Sequence, residues 1–318
     1  MYWQIIFFSG FMYDMKIIYP LISIKPFTPF TPVMEPSFKG HVRHEYLPES
    51  CDVFETQKRD LTQQTAFFRQ MEELEFAQGY IEENFERKAN IIVAGCSTGE
   101  EAWTLKMLLG DKADVRGFDL GAEAIACANS GRYEIVRDAA STWYHPDSDE
   151  YSDQWLAFDK VDGTCKVPKN SCQYKKLFEE YFEPDEELYA PMRYAPFNVR
   201  ADKVKDCYFV QGDILKMDKF IKPDSVDVLT FRNALFHLTE IYDKPQITKE
   251  KKVLVLEKLF DQVNTVLKIG GLFVLGNHHR DIDNKDYINK ILQSKGFTPA
   301  LYNNADTDWA SVWKKDSK

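Results

Sequence analysis

The segment Gly95-Cys96-Ser97-Thr98-Gly99 combines two glycines with two hydroxyl side chains and directly precedes the acidic pair Glu100 and Glu101. It lacks the middle glycine of the Gly-x-Gly-x-x-Gly fingerprint and the Gly-Lys-Ser/Thr pair of phosphate-binding loops. Two carboxylates at a helix N-terminus suit the helix dipole but would repel a pyrophosphate. The segment therefore predicts a ligand that is uncharged or cationic on this side. S-adenosylmethionine fits, because it carries ammonium and sulfonium groups and no phosphate.

Asp119 is a candidate for binding the sugar of such a ligand. It lies 24 residues after Gly95, at the predicted end of a strand. In doubly wound folds, an acidic residue about 20 residues after the glycine turn accepts hydrogen bonds from ribose hydroxyls. The alternative is that Asp119 only caps the next helix. The spacing and the strand end together favour the ribose.

Three further polar residues are candidates for chemistry. Arg232 and Asn233 follow the predicted buried strand 225–231, and ligands of open α/β sheets bind at the carboxyl ends of strands. An arginine there is costly unless it is paired or used. Arg69 lies in a helical pattern before the first strand, and its guanidinium could bind an anionic group of a substrate. Its alternative role is a surface salt bridge with Glu73, four residues further on.

The sequence does not predict a metal or disulfide site. Its six cysteines form no Cys-x-x-Cys pair and are too few for a disulfide scaffold in a chain of 318 residues. His278 and His279 are adjacent, so their side chains point to different faces of one element. We therefore expect reduced thiols, a cytoplasmic location and no metal.

Composition limits the partners. Hydrophobic residues make up 44% and charged residues 28%, and 40 Lys and Arg against 50 Asp and Glu give a net charge of −10. A negative protein repels polyanions, which argues against nucleic acids and anionic membranes as partners. The apolar N-terminal run is interrupted by Asp14 and Lys16, and is too short for the about 20 residues of a membrane span. We expect residues 1–60 to be an extended or poorly ordered arm, without stable membrane insertion.

The elements around these residues predict a doubly wound sheet. The apolar run 90–94, the glycine turn, a helix over 100–109 and a strand over 114–119 form a βαβ unit. Strands resume near residue 207, and the last two predicted strands could form an antiparallel pair at the sheet edge. Residues of about 135–206 break this rhythm and predict an inserted subdomain. The prediction is one α/β domain over residues 61–318.

Three motifs carry a resemblance to a known family. Thr65-Ala-Phe-Phe-Arg-Gln70 looks like a Thr-x-Phe-Phe-Arg motif, Ala94-Gly-Cys-Ser-Thr-Gly-Glu-Glu101 is similar to a signature turn, and Phe231-Arg-Asn-Ala-Leu-Phe-His-Leu238 resembles a Cys-Arg-Asn-Val-x-Ile-Tyr-Phe strand end. In these motifs the chain resembles the catalytic domain of the CheR family of chemoreceptor glutamate methyltransferases. The resemblance implies a class I methyltransferase, Rossmann-like sheet that is mostly parallel, with an antiparallel C-terminal edge strand.

The resemblance also implies roles for individual residues. Those implied to bind S-adenosylmethionine, and its product S-adenosylhomocysteine, are Thr65, Gly95, Cys96, Ser97, Thr98, Glu100, Asp119, Asp213, Ile214, Arg232 and Asn233. Within this set Glu100 would meet the methionyl ammonium, Asp119 the ribose, and Asp213 with Ile214 the adenine. Arg69, Arg232 and His237 would lie near the methyl-transfer centre as catalytic residues.

The chain departs from the family in ways that concern the substrate. His237 replaces a tyrosine, Asn277-His-His-Arg280 replaces Gly-His-Ser-Glu, and the insertion is longer than usual. No small helical domain is recognisable in residues 1–60. The resemblance implies a bacterial chemotaxis enzyme whose partner is a protein such as a chemoreceptor cytoplasmic domain. Two alternatives remain: a methyltransferase with another protein or small-molecule acceptor, and a non-catalytic regulatory protein that binds the cofactor.

Overall fold

The computed structural model describes residues 65, 67–137, 143–144, 159–161, 164–166, 171–184, 194–239, 249–277, 279–282, 284–303 and 306–317. The predicted N-terminal arm, residues 1–60, lies outside this set. Within the described residues, no helix has both the length and the apolar character needed to cross a membrane.

Seven strands form the main sheet. They are β1 (Ala89–Ala94), β2 (Ala113–Asp119), β9 (Cys207–Gln211), β10 (Val226–Thr230), β11 (Leu267–Val274), β12 (Phe297–Asn303) and β13 (Asp306–Lys315). Their order is β12-β13-β11-β10-β1-β2-β9. β13 pairs antiparallel with both of its neighbours, whereas β9, β2, β1, β10 and β11 are parallel. The predicted mostly parallel, doubly wound sheet is confirmed, with the detail that β12 rather than the antiparallel β13 is outermost.

The central strand β1 is buried on both faces. Ile91 and Val93 belong to one apolar core and Ile92 to the other, and each is at most 2% exposed. Side chains of successive strand residues point to opposite faces, so an apolar run without polar alternation is the pattern of a doubly covered strand. The sequence prediction for this strand is confirmed.

Helices cover both faces of the sheet. They are α1 (Met71–Asn84), α2 (Glu100–Leu109), α3 (Ala122–Ser130), α4 (Ser171–Tyr181), α5 (Phe236–Thr239), α6 (Lys249–Val266), α7 (His279–Ile282) and α8 (Lys285–Ser294). Short 3-10 turns occur at Gly110–Lys112, Val204–Asp206 and Ile214–Lys219. The apolar side chains of α2 join the core that contains Ile91, and those of α6 join the core that contains Ile92.

Between β2 and β9 the chain adds a second sheet. Its strands are β3 (Arg132–Arg137), β4 (Trp143–Tyr144), β7 (Phe182–Pro184) and β8 (Tyr194–Val199), in the antiparallel order β4-β3-β8-β7, and β5 (Asp159–Val161) and β6 (Thr164–Lys166) form a separate pair. Aromatic rings attach it to the main domain: the Phe67 ring lies 5.0 Å from Tyr133 and 5.2 Å from both Phe178 and Phe182. The described segments of residues 135–206 thus include a sheet of their own.

Asp227, near the amino end of β10, shows how the sheet treats a buried charge. Its side chain is 1% exposed and binds Arg87 through two hydrogen bonds of 2.6 and 2.7 Å. Lys268 Nζ lies 2.9 Å from Oδ1 of Asp227, and the backbone N–H of Asn90 donates to Oδ2 of Asp227 at 2.8 Å. Burial alone would raise the pKa of this carboxyl, but these donors hold it below its ordinary value. The cluster stabilises the end of the sheet opposite to the candidate site.

The strand order reverses direction between β1 and β10. From β1 the chain proceeds to β2 and β9 on one side, and later returns to place β10 on the other side. In open α/β sheets, such a switch point opens a crevice at the carboxyl ends of the two strands. Here β1 leads into Gly95 and β10 leads into Phe231, so two of the predicted motifs meet at this crevice.

Candidate active site

A cleft lies at this switch point. Eleven of the thirteen residues singled out from the sequence line it, namely Thr65, Arg69, Gly95, Cys96, Ser97, Asp119, Asp213, Ile214, Arg232, Asn233 and His237. These residues are far apart in the chain and come together because β1, β2, β9 and β10 end at the same edge of the sheet. Thr98 and Glu100 are not among the lining residues, whereas Glu101 is.

The glycine turn needs its glycines. Gly95 and Gly99 have φ angles of 63° and 98°, in the left-handed region that side chains disfavour. A Cβ at Gly95 would lie 3.1 Å from the Phe231 ring, and one at Gly99 would lie 2.8 Å from the Phe209 ring. The turn therefore packs closely against the sheet and presents its backbone to the cleft.

Asp119 ends β2 and connects to this turn. Its Oδ2 accepts a hydrogen bond from the Ser97 N–H at 2.9 Å, and its Oδ1 accepts one from the Gly121 N–H at 2.8 Å. Burial raises the pKa of this carboxyl, and the backbone donors oppose that rise. A carboxylate offers about four acceptor positions, so each oxygen can accept one more donor. Two neighbouring ribose hydroxyls fit this arrangement.

Part of the cleft lining is apolar. Phe118, Leu120, Ala124 and Ile214 line it, which suits the flat face of an adenine. Asp213 lies here too, but its Oδ1 accepts a hydrogen bond from the Leu215 N–H at 2.9 Å and caps the following 3-10 turn.

At the start of α2, the sequence predicts that Glu100 faces the ligand, but the structure places Glu101 at the cleft. Glu100 is fully buried, and its carboxylate accepts a hydrogen bond from the Thr98 hydroxyl at 2.6 Å. The next residue, Glu101, lines the cleft together with Thr104. A helix turns by about 100° per residue, so adjacent acids point in different directions while residues three apart share a face. The spacing of Glu101 and Thr104 is the signal that could have identified Glu101.

The Arg69 turn, residues 67–70, also differs from the prediction. The sequence places Arg69 in a helical pattern, but α1 begins only at Met71. Phe68 and Gln70, on either side of Arg69, have φ angles of 55° and 46°. Such left-handed conformations cost about 1–3 kcal/mol each and persist only where the surroundings impose them. Here the Phe68 N–H donates to the Thr104 hydroxyl at 3.0 Å.

The sequence also allows Arg69 a second role, a helical salt bridge with Glu73. That pairing requires both residues on one helix, and Arg69 precedes α1. The structure instead pairs Glu73 with Arg232, at 3.1 Å.

Arg232 lines the cleft, yet its side chain is only 2% exposed. Nη1 lies 3.2 Å from Glu101. Nη2 donates to the carbonyl oxygens of Arg69 at 3.1 Å and Gln70 at 2.5 Å, and to Glu73 at 3.1 Å. A guanidinium with these four acceptors holds the surrounding protein groups together.

Two further residues near the end of β10 face the cleft. Asn233 has a φ of 54°, and its side-chain amide donates to Gln70 Oε1 at 2.7 Å. His237, on α5, lines the cleft with its ring centre 4.0 Å from that of Phe236. An imidazole at this place can orient an acceptor or accept a proton from it.

Glu73 is a polar residue of this region that the sequence did not indicate. Its side chain is fully buried, and Asn277 donates to its second oxygen. Burial raises the pKa of this carboxyl, and Arg232 opposes the rise. Its partners are 159 and 204 residues away, so no local pattern could have pointed to it.

The Cys96 thiol lies in the glycine turn and is buried. Burial raises the pKa of the Cys96 thiol well above its ordinary value, so the thiol is neutral near pH 7. Among the described residues, no group of three or more His, Cys, Asp or Glu side chains could hold a metal ion.

One family model matches the part of the chain that contains the glycine turn. Residues 63–145 match the model of the family described as "CheR methyltransferase, SAM binding domain". The matched residues contain the Arg69 turn, the glycine turn and Asp119. No curated protein sequence matches the chain.

Solved structures with a similar arrangement include two methyltransferases. The geranyl diphosphate C-methyltransferase from Streptomyces coelicolor A3(2), in complex with S-adenosyl-L-homocysteine, has a TM-score of 0.35 and 9% identity over 71% of this chain and 61% of that one. A TehB-like SAM-dependent methyltransferase from Corynebacterium glutamicum has a TM-score of 0.34 and 13% identity over 74% and 83%. At these values the likeness says nothing of the acceptor.

The cleft is compatible with S-adenosylmethionine, because Asp119 has acceptor positions suited to ribose hydroxyls and Phe118, Leu120 and Ile214 offer apolar surface suited to adenine. The family match confirms S-adenosylmethionine as the cofactor. The sheet order, the glycine turn and the family match together identify the chain as an S-adenosylmethionine-dependent methyltransferase that resembles the CheR family over residues 63–145.

Proposed function

We propose that the protein transfers a methyl group from S-adenosylmethionine to glutamate carboxylates of another protein. The observation that carries this proposal is the anchored Arg69 turn: Arg69 lines the cofactor cleft, and its backbone is fixed by Arg232. A guanidinium is suited to bind a carboxylate through two parallel hydrogen bonds. The chemoreceptor-like substrate and the cytoplasmic location rest on the family resemblance.

In this proposal the cofactor residues divide the ligand between them. Asp119 accepts the ribose hydroxyls, and Asp213 and Ile214 flank the adenine. Thr65 and the backbone of the glycine turn contact the methionyl part. Because Glu101 rather than Glu100 lines the cleft, we assign the ammonium group to Glu101.

The mechanism needs little from the protein beyond orientation. When bound, S-adenosylmethionine supplies a methyl group on a positively charged sulfur, which is already activated for displacement. A glutamate side chain is an anion at neutral pH and needs no base. Arg69 would hold this anion in line with the methyl group, and the apolar walls of the cleft would exclude competing water.

We further propose that residues 61–318 form the catalytic domain and that the insertion of about 135–206 contacts the protein substrate. Strand β3, which leads into the insertion, contacts the glycine turn, since the hydroxyl of Tyr133 on β3 donates to the Thr98 carbonyl at 2.9 Å. A docked substrate would thus lie beside the cofactor turn.

The test is methyl transfer from tritium-labelled S-adenosylmethionine into a cell extract. Label that stays with protein and is released by mild base as methanol supports a carboxylate methyl ester. Extractable label supports a small-molecule acceptor, and cofactor binding without transfer supports the non-catalytic regulatory alternative.

Variants of Arg69 test its part in the reaction. Arg69→Ala should lower transfer at least tenfold with unchanged cofactor affinity, and Arg69→Lys should retain only part of the wild-type transfer, because lysine lacks the planar fork. Glu82→Gln, on an exposed surface pair, is the matched control.

His237 favours a second candidate function. An imidazole that lines the cleft could act as a general base for a hydroxyl or amine acceptor, which a carboxylate does not require. The cofactor would be the same and the acceptor different.

A further inference from the structure

A buried charge cluster connects the strand end to the Arg69 turn. Glu73 lies in the first turn of α1, fully buried, with Arg232 on one oxygen and Asn277 on the other. Neither Glu73 nor Asn277 lines the cleft. A buried ion pair is weak evidence for stability, because apolar replacements are often as stable. This cluster therefore calls for another role.

One nitrogen atom connects Glu73 to Arg69. Nη2 of Arg232 donates to Glu73 Oε2, and the same atom donates to the carbonyl oxygens of Arg69 and Gln70. Arg69 lies between the two left-handed residues Phe68 and Gln70, so its backbone needs external support. The charge of Glu73 orients the guanidinium that supplies this support.

We propose that Glu73 is a positioning residue for methyl transfer, which acts through Arg232 to fix the turn that carries Arg69. This inference rests on the proposed function, because it gives Arg69 the task of holding the acceptor. Glu101 binds the other guanidinium nitrogen, Nη1, at 3.2 Å, so the guanidinium is held from two sides. Loss of Glu73 should leave Glu101 and the cofactor residues in place and release mainly the turn.

Glu73→Gln is the informative change. Glu73 accepts from two donors, so a carboxamide of the same shape must place its NH2 group against one of them. We expect the transfer rate at saturating cofactor to fall at least tenfold, with cofactor affinity changed less than threefold. Glu72→Gln, an exposed neighbour on the same helix, is the control and should change neither quantity. Adding Asn277→Asp returns a carboxylate to the cluster and should recover most of the rate.

A double-mutant cycle separates positioning from general damage. If Glu73 acts through Arg69, then Glu73→Gln should change the rate less than twofold in an Arg69→Ala background. An equal loss in both backgrounds, or an unchanged rate in Glu73→Gln alone, would overturn the proposal.

Hydrogen exchange provides a readout that does not depend on the acceptor. Glu73→Gln should speed exchange in the segment 67–72 at least tenfold and leave α3 unchanged, whereas uniform speeding, or none, would contradict the positioning role. Failure of the proposed function gives a different result, because the wild-type protein would then place no base-labile label on protein. The exchange experiment would still show whether Glu73 fixes the Arg69 turn.

Discussion

Nη1 of Arg232 lies 3.2 Å from Oε2 of Glu101, so the arginine that follows β10 and the carboxylate that lines the cleft form one ion pair. The other oxygen of Glu101 accepts a hydrogen bond from the Thr230 hydroxyl at 2.6 Å. The acidic group of the cleft is thus held in a fixed place by the last residues of the strand that forms one wall of the crevice.

Arg232→Ala should strongly destabilise the fold. It would leave Glu73 as an unpaired buried carboxylate, and breaking a buried pair in this way costs about 3–5 kcal/mol. Urea unfolding measures the loss. Arg200→Ala removes an exposed pair with Glu183 and should cost less than about 1 kcal/mol. Equal losses in the two variants would contradict the central role of Arg232 in the packing.

Asp119→Asn should weaken cofactor binding at least tenfold. The change removes the charge from an acceptor of ribose hydroxyls, and a hydrogen bond to a charged group contributes about 1.5–3 kcal/mol. Titration calorimetry with S-adenosylhomocysteine measures this. The control is Asp114→Asn, on the same strand but paired with Lys88. Unchanged affinity in a folded Asp119→Asn protein would falsify the ribose assignment.

Asp227 should make stability depend on pH in the acid range. Its pKa is lower in the folded protein than the unfolded value of about 3.9, so its ion pairs stabilise the fold above that pH. This contribution is lost as the pH falls through the folded pKa. We therefore expect the difference in unfolding free energy between wild type and Asp227→Asn to be full at pH 6 and to shrink below about pH 4. A difference that stays constant down to pH 2.5 would refute this account.

His237 should distinguish the two acceptor classes. Histidine side chains titrate near neutral pH. With a carboxylate acceptor no base is needed, so the transfer rate should vary little between about pH 6 and 8 and should tolerate His237→Gln. With a hydroxyl or amine acceptor, the rate should rise with pH, and His237→Gln should cost about 10²–10⁴-fold. A steep profile that disappears in His237→Gln would favour the second candidate function.

The sequence was sufficient for the sheet and for the place of the glycine turn and Asp119 at the cleft, but not for Thr98 and Glu100, which do not line it. The apolar run of β1, the glycine turn and Asp119 are local patterns, and each has the environment that its pattern predicts. The helix boundary at Arg69 was wrong because the apolar residues Phe67 and Phe68, which continue the helical period, pack on Tyr133 and Tyr174 instead.

The ion pairs of Glu73 and Glu101 could not be predicted either, and the reason is different. Which of Glu100 and Glu101 faces the cleft depends on how α2 is rotated against the sheet, which its own residues do not determine. The partner of Glu73 is 159 residues away. Local patterns specify the backbone elements, whereas long-range ion pairs form only once those elements have packed.

The contact between Arg232 and the Arg69 carbonyl has a consequence for the order of assembly, because it spans 163 residues. Closing so long a loop costs conformational entropy, so contacts of this kind form slowly. The ribosome also synthesises the N-terminal part of the chain first. The Arg69 turn is therefore synthesised long before Arg232, which fixes it. A nascent chain can build β1, the glycine turn and β2 early, but it forms the contact between Arg232 and Arg69 only after β10 docks beside β1. We expect maturation of the site to be a late event in folding, separate from formation of the first βαβ unit.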